Sequence, residues 1–317
     1  MRARGLITLL ISLAVGLGAC GGGDNGGAGE PAGGGAIARN PDHAKTTLTI
    51  GSKNFTEQQV LGQIYAQGLR AAGYTVKTAL NLGDENIAHA ALKRGAIDAY
   101  PEYTGTALLS FFGKQSSELP RDPEQAYEQA KQAFAAEGLV ALPPTPFTSA
   151  NEVAVTSETA DRLGLSTISD LAGEASKLTL SGSPECRRRR DCLLGLEQVY
   201  GLHFKRFLPV PIPRRHEALT SGRADVSIVF TTDPQIKRNN EVLLEDDKGM
   251  LPPYNSTLVV RRQAADAAGP DLEKTVDQIN AGLTDETMQE LNARVDLDHQ
   301  DPAAVARDYL RQAGLVK

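Results

Sequence analysis

Two stretches of this chain, 127 residues apart, carry the same pattern. Ala91-Leu92-Lys93-Arg94-Gly95-Ala96-Ile97-Asp98 is followed, five positions after its Asp, by Tyr103-Thr104. Ala218-Leu219-Thr220-Ser221-Gly222-Arg223-Ala224-Asp225 is followed at the same interval by Phe230-Thr231. In each, a short helix closes at glycine and an Asp leads into a strand whose far end carries an aromatic ring and a hydroxyl. The interval exceeds the roughly 20–50 residues of solenoid repeats, so it reads as two similar α/β lobes. Ligands of open α/β sheets sit beyond the strand ends. A cleft with one aromatic from each wall suits capture of a small solute.

The elements around the echo fit this reading. Thr47-Leu48-Thr49-Ile50-Gly51 alternates as a strand. Thr56 with Gln59 has the capping-box pattern. The helix it opens carries Val60, Leu61, Ile64 and Leu69 at helical spacing and stops near Gly73. A strand over 74–80, a helix over 86–94 and a strand over 96–100 follow, an order that implies a mainly parallel sheet. After a helix over 122–137, Pro143, Pro144 and Pro146 break the chain, and a first crossing is expected at 147–151. The other lobe includes a strand over 178–180, a helix over 194–200 and the second echoed unit. Pro252-Pro253 marks the return, before a strand over 257–260 and helices over 272–281, 285–296 and 302–312. The expected architecture is α/β and two-lobed, with residues 46–148 and 253–317 in one lobe and 149–252 in the other. Two crossing segments then form a hinge.

The N-terminus supplies an address. Arg2 and Arg4, an apolar run over 6–17 and Leu17-Gly18-Ala19-Cys20 make a signal peptide over 1–19 with a lipidation site at Cys20. The run is too short to span a bilayer, which takes about 20 residues. A glycine-rich stretch follows, and residues 20–45 read as a flexible tether from a lipid anchor. The expected location is extracytoplasmic, at the cell membrane. Formal charge is −6, and removing residues 1–19 takes away two arginines and moves it to −8. That balance argues against nucleic acid as a partner. Cys186 and Cys192 in an oxidising compartment are expected to pair. A metal site lacks ligands, since no His or third Cys lies near them.

Several residues carry chemistry. Lys53 lies between a strand end and a helix N-terminus, a place that favours an anion, although the nucleotide-loop spacing is missing. Tyr103 and its echo Phe230 face the expected cleft. Cys186-Arg187-Arg188-Arg189-Arg190-Asp191-Cys192 offers four guanidinium groups, one of which, turned inward, would clamp a carboxylate. Tyr254, on the return crossing, can floor the cleft. The histidines at 43, 89, 203, 216 and 299 are scattered and no nucleophile motif appears, so a catalytic triad is not supported.

Gly51-Ser52-Lys53-Asn54-Phe55-Thr56-Glu57-Gln58, Glu102-Tyr103-Thr104-Gly105-Thr106, Tyr200-Gly201-Leu202, Thr231-Thr232-Asp233, Glu245-Asp246-Asp247-Lys248-Gly249 and Leu251-Pro252-Pro253-Tyr254 recur in order. Together they resemble the glycine betaine/carnitine/choline-binding proteins of osmoprotectant ABC importers. The resemblance spans residues 48–317 and implies a type II periplasmic-binding-protein-like fold, an ABC permease as partner, no cofactor, no enzymatic step and a monomer. It also implies an aromatic box for a quaternary ammonium, whose nitrogen has no N–H and must be held by ring faces. By position, Tyr103, Phe230 and Tyr254 would be walls, with Lys53, Thr106 and Arg189 at the ligand's anionic end. Asn151 stands where relatives place a tyrosine and Phe230 where a tyrosine is common, so Asn151→Tyr is expected to restore a wall and tighten betaine binding. Other readings of the same chain are a solute-sensing lipoprotein, or a binding protein for a different small amine or carboxylate.

Overall fold

A computed structural model describes residues 35–317. The signal peptide, Cys20 and the tether up to residue 34 lie outside the described residues. The chain opens with β1 (Thr47–Gly51), α1 (Thr56–Ala71), β2 (Thr75–Ala79), α2 (Glu85–Lys93) and β3 (Ala99–Tyr103). The short α3 (Thr104–Thr106), α4 (Pro123–Ala136) and β4 (Leu139–Ala141) follow. After the first crossing come β5 (Asn151–Thr156), α5 (Ser157–Leu163), β6 (Thr179–Gly182), α6 (Leu193–Tyr200) and β7 (Arg206–Pro209). That region ends with α7 (Arg215–Thr220), β8 (Val226–Phe230), α8 (Gln235–Arg238) and β9 (Glu241–Leu244). The return brings β10 (Ser256–Arg261) and the helices α9 (Arg262–Ala268), α10 (Asp271–Asn280), α11 (Asp285–Asp296) and α12 (Pro302–Gln312).

Two five-stranded sheets form, ordered β2-β1-β3-β10-β4 and β7-β6-β8-β5-β9. They are the same arrangement used twice. Four of the five strands in each run in the same direction. Next to them lies a strand delivered by a crossing, β10 or β5, antiparallel to both of its neighbours. The sheets are therefore mainly parallel in strand direction, as expected, but mixed, because each crossing strand enters from the opposite end. Each sheet has its own apolar core. One gathers Leu48, Ile50, Leu61, Ile64, Ile279 and Leu310, and the other gathers Val153, Val155, Leu180, Val226 and Leu244.

The echoed units are equivalent down to their hydrogen bonds. Gly95 and Gly222 both take left-handed conformations, φ 76° and 70°, where glycine avoids the Cβ penalty. The Asp98 and Thr49 N–H groups then bond to Thr49 O and Asp98 Oδ2, both at 2.8 Å. Asp225 and Thr179 repeat the exchange at 2.9 and 2.8 Å. In the first unit the N–H groups of Ala96 and Ile97 still close the preceding helix on Ala91 O. The strand therefore starts at Ala99 instead of 96 and reaches Tyr103.

Two local expectations are corrected. The N-cap of α1 is Phe55, which makes no side-chain cap, while Thr56 is already helical and gives its hydroxyl to Asp296 on α11 at 2.5 Å. The tether expected to run to residue 45 gives way earlier to packed chain. Ile37 and Asn40 donate their N–H groups to Leu315 O and Ala72 O at 3.0 Å, and His43 stacks on Tyr74 at 4.1 Å. Glycine-rich composition ends at Gly35, and with it the loss of packing surface.

Candidate ligand-binding cleft

Tyr103 ends β3 and Phe230 ends β8, so the repeated topology carries one ring from each sheet to the same cleft. The seven residues expected at the site, Lys53, Tyr103, Thr106, Asn151, Arg189, Phe230 and Tyr254, all line one cavity of about 50 Å³. That is room for roughly four water molecules, so a bound solute must be compact or the walls must part.

Its aromatic side includes a ring that the sequence reading passed over. Phe55 stacks near Tyr103 (6.3 Å between centroids) and tilts against Phe230 (5.2 Å), bridging the two walls. Tyr103 is nearly buried, and its hydroxyl donates to Glu57 Oε1 at 2.6 Å. Burial raises the Glu57 carboxyl above the ordinary range, against hydrogen bonds from Thr232, Tyr103 and Asn292 that pull it down. Tyr254 donates to Asp191 Oδ2 at 2.7 Å. It is packed so closely that a Cβ at Gly105 would lie 2.9 Å from its ring and 2.8 Å from Pro253 O. Only glycine permits that approach.

The ring faces already hold cations. Lys53 Nζ lies 4.5 Å from the Tyr103 centroid and 5.9 Å from that of Phe55. The Arg215 guanidinium lies 3.6 Å over Phe230. Both are within cation–π reach, so the walls present negative ring faces of the kind an ammonium needs.

The polar side is more fully paired than the sequence implied. Lys53 hydrogen-bonds the fully buried Glu102, which also accepts from Tyr100 OH at 2.9 Å and the Tyr103 N–H at 2.7 Å. Of the four neighbouring arginines, Arg189 is the one lining the cavity. Arg187 stacks on Phe207 and Arg190 donates to Lys114 O. The Cys186–Cys192 bridge, with Cα atoms 5.2 Å apart, closes this loop. Arg189 makes two bonds to Asp191, at 2.8 and 2.5 Å, and reaches Thr106 at 3.3 Å and Glu85 at 3.4 Å. It thus ties the loop after β6 to the opposite sheet's residues. Burial would raise Asp191, but Arg189 and the Tyr254 hydroxyl outweigh it and hold that carboxyl low. Burial wins at Glu85, whose carboxyl sits high despite Arg189.

Asn151 is no empty wall. It pairs in register with Phe230, as Ser256 does with Tyr103, and its amide donates to Asp191 Oδ2 at 3.0 Å. Asp191 is the centre of this side, held by Arg189, Tyr254 and Asn151, yet the sequence reading did not single it out. Its place between Arg190 and Cys192 was the available signal. Phe55 could have been found from its position beside Lys53. Arg215, in Arg214-Arg215-His216, carries no pattern that marks it.

Comparison with known proteins decides the lineage. Residues 46–312 match the OpuAC family, the substrate-binding domain of ABC-type glycine betaine transport systems. The chain belongs to this family. As an OpuAC domain it is the extracytoplasmic binding component of an ABC-type transporter of the glycine betaine, carnitine and choline group, not an enzyme. It is 36% identical over 281 residues to the glycine-betaine-binding protein of Pseudomonas aeruginosa, covering 85% of this chain and 89% of that one. It is 31% identical to the ergothioneine transport permease/ergothioneine binding protein EgtU of Helicobacter pylori, covering 88% of this chain and 50% of that longer protein. Among solved structures, a glycine betaine/carnitine/choline ABC transporter protein superposes with TM-score 0.67 at 26% identity, covering 84% of this chain and 98% of that one. The two-lobed α/β architecture expected from the echo is the architecture of these relatives. No described helix is long and apolar enough to cross a membrane.

Proposed function

We propose that this OpuAC domain captures a quaternary ammonium osmoprotectant, of the glycine betaine, carnitine or choline type, and delivers it to an ABC permease. The observation that carries this is the convergence of Phe55, Tyr103 and Phe230 on one cavity, with protein cations already on the ring faces. Tyr254 completes the rings, and Lys53, Thr106, Asn151 and Arg189 form the polar side. Residues 46–148 with 253–317, and 149–252, would move as the two lobes about the crossings, in keeping with one sheet lying in each.

Calorimetric titration with glycine betaine, carnitine, choline and proline betaine, with a free amino acid as control, tests this. Ergothioneine joins the panel because of the Helicobacter pylori relative's name. Saturable binding of a quaternary amine that Tyr103→Ala weakens about 100-fold is expected. Binding of the amino acid alone would move the ligand to another class. The motif Leu17-Gly18-Ala19-Cys20 supports removal of residues 1–19 and acylation of Cys20. A mature protein whose N-terminal mass changes in Cys20→Ser by no more than the sulfur-for-oxygen exchange would count against the anchor, and sedimentation checks the expected monomer.

A further inference from the structure

Three cations line the cleft among the described residues, Lys53, Arg189 and Arg215. They differ in what they have left to give. Lys53 is committed to Glu102, and Arg189 has both its Nε and its Nη2 on Asp191. Arg215, at the start of α7, is otherwise. Its side chain is only 5% exposed, Nη2 donates to Asp233 at 2.5 Å, and Nε has no protein partner among the described residues. Asp233 is moreover shared, since it also accepts from the Phe230 N–H at 2.8 Å and contacts His216 Nε2 at 2.9 Å. A buried guanidinium N–H without an acceptor is costly. Such an N–H is open to an acceptor supplied from outside the protein.

We propose that Arg215 is a ligand-binding residue that takes the carboxylate of a zwitterionic ligand at Nε. The contact 3.6 Å over the Phe230 ring holds the guanidinium beside the cavity, and its N–H groups are the donors it can offer there. The ligand's ammonium then lies against the rings of Phe55 and Tyr103, which line the same cavity as Phe230. This rests on the cleft being the quaternary-amine site, and it narrows the ligand to one carrying both charges.

The test pairs glycine betaine with choline, which has the same ammonium and no carboxylate, on the full chain and on Arg215→Lys and Arg215→Met. Arg215→Lys retains a cation for Asp233, so it keeps the question open to measurement if Arg215→Met fails to fold. Arg215→Lys is expected to weaken glycine betaine about 30-fold while choline changes by less than about threefold. Equal losses for both ligands, or none for betaine, would overturn the assignment. A second readout follows the Arg215 Nε–Hε resonance, assigned from its disappearance in Arg215→Lys, during titration with acetate. A saturable shift is expected, and its absence with both acetate and betaine overturns the proposal. A saturable acetate shift in a chain that binds no quaternary amine would defeat the ammonium reading and leave Arg215 as a carboxylate site.

Discussion

The two sheets share strand order, crossing strand and even the Asp-to-backbone exchange that starts the third strand, yet they anchor their cleft rings differently. Tyr103 is held by its hydroxyl on Glu57, with Lys53 over its face. Phe230 has no hydroxyl and is half-buried, and it depends on the stacked Arg215 and the strand pairing with Asn151. Backbone topology was duplicated, while the polar groups that fix each ring were not. The fold therefore sets where the rings stand, and single side chains set how firmly they stand there.

If that contrast is right, removing the two rings has unequal consequences. Tyr103→Ala is expected to weaken the bound amine about 100-fold, because a fixed ring face is lost and the buried Glu57 loses one of its donors, with Asn292 remaining. Phe230→Ala is expected to cost about tenfold. Titration of both variants with one ligand checks this, and equal losses would mean the lobes contribute alike.

A smaller contrast concerns stability. Asp98 bonds the Thr49 N–H and also Arg261 at 2.6 Å, whereas Asp225 bonds the Thr179 N–H and has no arginine partner among the described residues. Asp98→Ala is expected to cost about 2 kcal/mol and Asp225→Ala about 1 kcal/mol in denaturant unfolding. A larger loss at Asp225 would show that the second sheet leans more on this junction. Asn151→Tyr probes the same pairing from the ligand side. The sequence pointed to a restored wall, but the buried Asn151 amide supports Asp191, and a larger side chain would both overpack the site and remove that donor. Affinity is expected to fall several-fold; a gain would restore the missing-wall reading.

What the sequence could reveal follows from the same contrast. Helix periodicity and glycine-Asp spacing are local, so the echoed units, the helices 285–296 and 302–312 and the rings at Tyr103 and Phe230 were readable. The mixed character of the sheets was not, because β10 and β5 join them only after the chain has crossed. Charge pairing across the cleft was hidden for the same reason. Arg189 and Glu85 meet only once both sheets exist, while Lys53 and Glu102, 49 residues apart, pair beside the neighbouring strands β1 and β3 of one sheet. Arg215 could be placed only by its contact with Phe230.

The smallest expected effect lies on the two crossing strands. Register places Glu152 of β5 opposite Val229, the position that Thr257 of β10 holds opposite Glu102 in the other sheet. Thr257 is neutral and donates to Leu142 O at 2.5 Å. Glu152 is a carboxyl pushed up to about 7, by burial first and by the neighbouring Asp246 second. Because its folded value lies above the ordinary one of 4.5, the folded state favours the protonated form. That contribution is complete below about pH 4.5 and is lost as pH rises through about 7. Glu152→Gln should therefore leave Tm unchanged near pH 4 and raise it by about 2 °C near pH 8, a gain of ~1 kcal/mol after solvent screening. Parallel pH profiles showing the same Tm difference throughout would mean that Glu152 does not titrate in this range, and that the two crossing strands are electrostatically alike after all.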